Sequence, residues 1–341
     1  MAESSAAPAR TWAQAAQTKE EEVPLRTVQI DGLALLKIIK HCKEFAPNLV
    51  TGQLLGLDIG SVLEVTNCFP FPTRSEEEED GEDSATYQLE MMRSLREVNV
   101  DNNTVGWYQS TYMGAYQSVE LIDTFLQYQE NIKRCVCIIY DPQRSSQGVL
   151  ALKALKLKEP FMEAYKNDAL TGEGLRQSGI SWPDIFEEIK VSVHNSALVG
   201  AMVTDIQPEA PVTHADFDRL SLSSAPFLEK NLEFLIQCMD DLGQEQQKQQ
   251  YYYRAVTRQE AQKGAWLLKR RAENAARKAA GEEPLPEEDS ANPAFKPIPE
   301  PSRLDGFLIT NQISNYCGQV NGFGGQSLSK MYVMDAVHEE H

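Results

Sequence analysis

Hydrophobic and polar positions alternate with period two over 27–30, Thr-Val-Gln-Ile, which predicts a half-buried strand. Asp31 follows as a helix cap, and Leu35, Leu36, Ile39 and Cys42 recur at helical spacing before Pro47. Two strand-like runs, 52–57 and 62–71, are joined by Asp58-Ile59-Gly60-Ser61 and read as a hairpin closed by Pro70 and Pro72. A helix is expected over 87–98, with Leu89, Met92 and Leu95 on one side. The turn Asp101-Asn102-Asn103 then launches a buried strand over 105–108. Residues 118–132 form the next helix, with Val119, Ile122, Phe125 and Leu126 as its inner stripe. The run Arg134 to Tyr140 is continuously apolar after its first residue, as in a strand covered on both faces. Further strands are expected over 148–157 and 185–193, and a helix over 196–206. Strands alternating with helices predict an α/β sheet flanked by helices.

The pattern breaks around 208–226, which is read as a domain boundary. Beyond it Leu228, Leu232, Leu235, Met239 and Leu242 recur in steps of four and three, a heptad-like seam. A Gln-rich run, Tyr251-Tyr252-Tyr253 and a charged helix to about 280 follow. This region is short of core residues of its own, so its seam needs partner helices. They come from the same chain or from another protein, with equal weight. The expected organisation is a tail over 1–22, a sheet domain over 23–207 carrying an acidic loop at 75–84, a helical extension over 208–281, and a mostly disordered tail over 282–341. Residues 303–341 are rich in Gly, Asn and Ser, and no element is assigned there.

Charge narrows the function classes. A net charge of −18 argues against a chain that coats itself in nucleic acid, since phosphate contacts need clustered Lys and Arg. The one basic patch is Lys263, Lys269, Arg270, Arg271, Arg277 and Lys278. A solvated helix face is the plainer account, and RNA contact, through Lys269, Arg270 and Arg271, is the functional one. No run is long and apolar enough for a membrane span, and the first 22 residues lack a signal-peptide core. The six cysteines form no Cys-x-x-Cys pair and read as buried small hydrophobes in a reducing cytoplasm. Cys135 and Cys137 stand at strand spacing and share a face. His41, His194 and His214 are isolated, and His338 and His341 lie at the chain end among glutamates. Phosphate-loop and Gly-x-Ser-x-Gly patterns are absent, and Gly322-Phe323-Gly324-Gly325 lacks the flanking strand and helix of a nucleotide fingerprint.

The stretch 105–114, Val-Gly-Trp-Tyr-Gln-Ser-Thr-Tyr-Met-Gly, puts polar residues at the C-terminal end of a buried strand, where α/β proteins usually place their sites. Gly-Trp-Tyr followed by a short polar turn resembles the centre of an MPN domain. The catalytic branch of that family, the zinc isopeptidases called JAMM enzymes, continues with His-Ser-His-Pro. Zinc hydrolysis needs three ligands with free lone pairs, a water position and a carboxylate base. Carried over position by position, the base falls on Leu49, the two His on Gln109 and Thr111, and the Pro on Tyr112. The family's Ser falls on Ser118, one residue early, which leaves its Asp on Leu121 by count, with Glu120 alongside. An amide and a hydroxyl are poor zinc ligands, and Leu49 cannot accept a proton. No metal, cofactor or catalysis is expected.

Longer stretches narrow the resemblance. Residues 50–57, 64–72, 87–92 with 96–99, and 105–111 are similar to the MPN subunits of eukaryotic translation initiation factor three, as, less distinctively, is Asn-Gln-Ile-Ser at 311–314. The resemblance implies an MPN fold (JAMM-like, cytidine-deaminase-like) followed by a C-terminal helical extension. It implies a cytoplasmic, non-catalytic scaffold that supports small ribosomal subunit binding and recruitment of initiator tRNA and mRNA. Implied partners are the other subunits of that complex, above all the f-subunit MPN domain, the small ribosomal subunit and, indirectly, mRNA. No membrane is involved. The rival readings are an inactive MPN scaffold of the proteasome lid or signalosome and, far behind, an active deubiquitinase.

Overall fold

The computed structural model describes residues 24–72, 81–145, 150–206, 227–279, 281, 283, 285–286 and 295–339, with the side chains of 81–85, 206 and 339 excepted. Seven strands close into a barrel in the order β1-β3-β2-β4-β5-β6-β7. They are β1 (Thr27–Asp31), β2 (Thr51–Ile59), β3 (Val62–Pro70), β4 (Thr104–Ser110), β5 (Val136–Tyr140), β6 (Leu152–Leu157) and β7 (Phe186–His194). The barrel is mixed: β1 runs parallel to β3 and β7, and β4 parallel to β5, while the remaining neighbours are antiparallel. The expected hairpin is the β2–β3 pair, joined through Gly60 at φ 61°. The sheet flanked by helices is therefore as expected, while its closure on itself through β1 and β7 is an addition.

Alternation within each strand distributes the core. Val136, Ile138 and Tyr140 of β5 join one cluster, with Val28, Ile30, Leu54 and Tyr108. Cys135, Cys137 and Ile139 join the other, with Trp107, Leu155 and Leu157. Both faces of β5 are buried, which is why its sequence shows no polar alternation. The first cluster is covered by α1 (Gly32–Glu44) through Ala34, Leu35, Ile38 and Cys42. The second is covered by α3 (Val119–Asn131) through Leu121, Ile122 and Phe125, and by α5 (Glu159–Lys166) through Phe161 and Ala164.

Several helical stripes differ from the expected ones by a residue. In α1, Ile38 is buried and Leu36 is 66% exposed. In α2 (Gly81–Glu97), Leu89 faces solvent and Tyr87, Met91 and Leu95 turn inward. In α3, Val119 lies at the surface. Asp31 takes the extended cap conformation but makes no side-chain cap bond, and Asn195 Oδ1 accepts from Gly32 N–H instead, at 3.2 Å. The expected acidic loop lies outside the described residues up to 80, and from Gly81 the backbone is already helical. Cys42, Cys68, Cys135 and Cys137 are buried, whereas Cys317 is exposed.

Short helices α4 (Pro142–Ser145) and α6 (Gly172–Ser178) and the apolar α7 (Ala197–Ile206) complete the domain. Two long helices follow, α8 (Phe227–Ala279) and α9 (Leu304–Glu339). The second corrects the expectation of a disordered tail over 282–341. Its glycines and asparagines weaken helix propensity, but tertiary burial outweighs that, since Leu304 and Leu308 enter the second core cluster. The tail expected over 1–22 lies outside the described residues.

Candidate functional site

The site begins at the C-terminal end of β4. Ser110 N–H donates to Val50 O and Val50 N–H donates to Ser110 Oγ, both at 2.8 Å, which ties β4 to the entrance of β2. Continuing that register sets Leu49 opposite Thr111, while Gln109 pairs with Thr51 and Ile139. Leu49 is 57% exposed and Gln109 half-buried. Thr111 N–H donates to Tyr140 O at 2.9 Å, and its buried hydroxyl has no hydrogen-bond partner among the described residues. Ser118 caps α3, accepting from Leu121 N–H at 3.2 Å. That cap sends the Leu121 side chain into the second core cluster, 2% exposed. Glu120 stays at the surface.

The loop after Thr111 turns through two residues with positive φ, Met113 at 55° and Gly114 at 78°. Their carbonyls then point at α9. Gln312 Nε2 and Asn315 Nδ2 both donate to Gly114 O at 2.9 Å, and Gln319 Nε2 donates to Met113 O at 3.3 Å. Positions 312, 315 and 319 share one helical face, so a single stripe of amides clasps the loop. A methyl group on Gly114 would lie 2.2 Å from Gln319 Nε2, so glycine is required by space as well as by φ. Behind the loop Asp141 is buried. Burial raises its pKa, against the lowering effect of N–H bonds from Arg144, Gln143 and Gly114. Its Oδ1 accepts from Gln143 and Arg144 N–H at 3.0 and 3.1 Å and caps α4.

The α8 helix completes the cover. Lys230 Nζ donates to Tyr112 Oη at 3.0 Å, and Phe234 meets the Tyr112 ring edge-on at 6.1 Å. Phe234 also stacks on Tyr316 of α9 at 6.0 Å, and Phe227 lies 5.7 Å from Phe323. Arg303 bonds Tyr253 at 2.7 Å. Residue numbers rise along one helix as they fall along the other, so α8 and α9 are antiparallel and partner each other within the chain. Of the expected seam, Leu228, Leu235 and Leu242 are half-buried, while Leu232 and Met239 remain at the surface. The clasp residues Gln312, Asn315 and Gln319 escape a reading of the sequence. Their i, i+3, i+7 spacing is the one available signal, and the glycines around it mask it.

In the basic patch, Arg270 stacks over Trp266 at 4.7 Å and pairs with Glu273 at 3.5 Å, and Lys263 lies over Phe295 at 5.1 Å. Lys269 and Arg271 are exposed. His194 faces Asp31 at 3.9 Å, and His214 and His341 lie outside the described residues. Among the described residues no group of three His, Cys, Asp or Glu side chains is placed to hold a metal ion. No helix among them is long and apolar enough to cross a membrane.

Comparison with known proteins supplies the family. Residues 24–134 match the family model described as JAB1/Mov34/MPN/PAD-1 ubiquitin protease, and residues 145–341 match the C-terminal region of eIF3h. The H subunit of eukaryotic translation initiation factor 3 from Arabidopsis thaliana is 67% identical over 333 residues, covering 97% of this chain and 98% of that protein. The H subunits from Dictyostelium discoideum and Nematostella vectensis are 44% and 43% identical, covering 91% and 92% of this chain and 94% of each relative. The chain belongs to the family formed by the H subunits of eukaryotic translation initiation factor 3.

Proposed function

We propose that this chain works as a non-catalytic scaffold of the translation initiation factor 3 complex, with its MPN barrel as a docking body and its C-terminal helices as an assembly arm. The observation that carries the reading is the clasp of Gln312, Asn315 and Gln319 on the loop after β4. In the hydrolytic members of the fold that loop carries ligands. Here the corresponding positions hold Gln109, Thr111 and Leu121, with Leu49 in place of a base. Neither an amide, a hydroxyl nor an aliphatic side chain combines cation binding with proton transfer at neutral pH. The sequence divides on this reading into an MPN domain over 23–207, a helical extension over 208–281 and a C-terminal part whose helix α9 returns to the barrel.

Pairing with the f-subunit MPN domain is supported by unpartnered apolar helix faces. Leu33 and Leu36 of α1 and Leu198, Val199, Met202 and Val203 of α7 are all exposed. A helix as rich in exposed apolar side chains as α7 is ordinarily buried against something. Leu232 and Met239 leave a smaller surface on α8 for further subunits. Lys269, with Arg270 and Arg271, supplies positive charge for RNA on the small ribosomal subunit, in a cytoplasmic complex that recruits initiator tRNA and mRNA. The relatives carry the initiation-factor name and lend no support to a proteasome-lid or signalosome role. Affinity purification from cells with mass spectrometry tests the proposal. Initiation factor 3 subunits and small-subunit ribosomal proteins are expected, with loss of the f-subunit on Leu198→Asp/Met202→Asp. Stoichiometric zinc, or cleavage of ubiquitin chains by the pure protein, would overturn the non-catalytic part.

A further inference from the structure

A concavity lies on the other side of Tyr108, apart from the clasped loop. It is a groove of about 600 Å³ between α1 and α2, floored by Cys68, Phe69 and Tyr108. That volume is in the range of ligand-binding clefts. One wall is the α2 stripe Tyr87, Met91 and Leu95, at four-residue steps. The other is the C-terminal half of α1 with Phe45, and Phe71 closes one end.

The groove is built from rings. Phe69 meets Phe71 edge-on at 6.0 Å and Tyr87 at 6.4 Å, and His41 meets Phe45 at 5.2 Å and Tyr108 at 5.9 Å. The floor is fixed. Tyr108 Oη and His41 Nδ1 are hydrogen-bonded at 2.9 Å, and the Tyr108 ring lies against Gly52, where a methyl group would come within 2.4 Å of it. Burial lowers the His41 pKa, against the raising effect of the Glu44 carboxylate. Rings and a thioether that stay half-exposed on a rigid floor form a receptor surface rather than an unfinished core.

The rim carries Lys37, Lys40 and Glu44. Lys37 Nζ is engaged by Asn67 Oδ1 at 2.8 Å, whereas Lys40 has no ion pair among the described residues. Two ammonium groups against one carboxylate disfavour a cationic guest, although an aromatic cage would otherwise suit one. They favour a carboxylate next to an apolar anchor. The eight helical steps from Tyr87 to Leu95 span about 12 Å, enough for a few residues of peptide and more than a single side chain needs.

From this geometry we infer that the groove is a peptide-recognition site. Its ligand is a linear segment of a partner protein that buries an aromatic or leucine side chain among Phe69, Tyr87 and Met91 and sets an adjacent Asp or Glu on Lys40. The groove uses none of the clasped loop, so it can bind peptide whether or not the chain acts as a scaffold.

A random peptide library displayed on phage, selected against the full-length chain, tests it, with affinities of synthesised winners read by fluorescence anisotropy. Winners are expected to share an aromatic or leucine anchor within a few positions of an acid, with Kd of about 1 to 100 μM. Lys40→Glu, at an exposed position, should weaken them about tenfold, and a peptide with the acid changed to Lys should recover that loss. Met91→Trp should block the groove at unchanged Tm. A selection with no shared anchor, winners without the acid, or affinities that ignore both substitutions would overturn the site. So would winners that are lost with Leu198→Asp on α7, which does not line the groove.

Discussion

Strand β4 feeds two neighbouring surfaces that are finished in opposite ways. Beyond Gln109 the chain turns through Met113 and Gly114, and α9 seals that turn with three amides. On the other side Tyr108 floors a groove of aromatic rings that no described element covers. The sealed side is polar and bonded through backbone carbonyls, so it tolerates little change in shape. The open side is apolar and held by packing, so it accepts guests that vary in sequence. On the proposed non-catalytic reading, this strand end serves as an anchor for the chain's own helix. Recognition is available only where the surface was left unclaimed.

That contrast can be broken most forcefully at Tyr316, which is 2% exposed and stacked on Phe234. Tyr316→Ala should cost about 3 to 5 kcal/mol of stability in urea unfolding. Hydrogen exchange should rise along 304–319, while peptide binding at the groove stays unchanged below the transition. If the groove fails with it, the two sides are not independent.

Gly114→Ala is next, at about 1 to 3 kcal/mol, since it combines a strained positive φ with the encounter at Gln319 Nε2. Adding Gln319→Ala removes the nearest atom and should return part of the loss, leaving the φ component. Full recovery would mean that φ at Gly114 contributes nothing. Gln312→Ala should cost about 1 kcal/mol, one of two donors to Gly114 O being lost.

The smallest expected effect is on the open side and depends on pH. Burial holds the His41 pKa below its ordinary 6.5. The folded chain then binds fewer protons than the unfolded one, so this contribution is complete above pH 6.5 and is lost as pH falls toward the folded value. Protonation also leaves both ring nitrogens as donors, so Tyr108 Oη can then only accept from Nδ1. Peptide affinity at the groove should therefore weaken between neutral pH and about 5.5. His41→Gln should flatten that profile. The amide clasp contains no group that titrates there, so exchange protection along 304–319 should not follow it.

Sequence made the barrel legible wherever burial left a period. The alternation over 27–30 and the unbroken run ending at Tyr140 both became strands. Closure of β1 on β7 was hidden, because a parallel pair between Thr27 and Lys190 leaves no local trace in either strand. Periodicity locates helix α1, but it points to Leu36 where Ile38 is the buried residue. Apolar type alone cannot distinguish a core leucine from one awaiting a partner. At the site, the family resemblance points to Leu49, Gln109 and Thr111, and these lie near one another. Leu121 instead joins the core, since the cap at Ser118 fixes where the first turn of α3 points. Helix α9 escapes detection because its order comes from contacts with Gly114 and Phe234, distant in the chain, and not from its own composition.

The order in which the polypeptide is synthesised gives the clasp a further meaning. All seven strands have left the ribosome well before Leu304, so the barrel can assemble while its carbonyl turn is still bare. A product truncated by a premature stop before 304 would display Met113, Gly114 and the apolar wall that Leu304 and Leu308 normally hide. Such a fragment would lack the three amides with which α9 covers that turn.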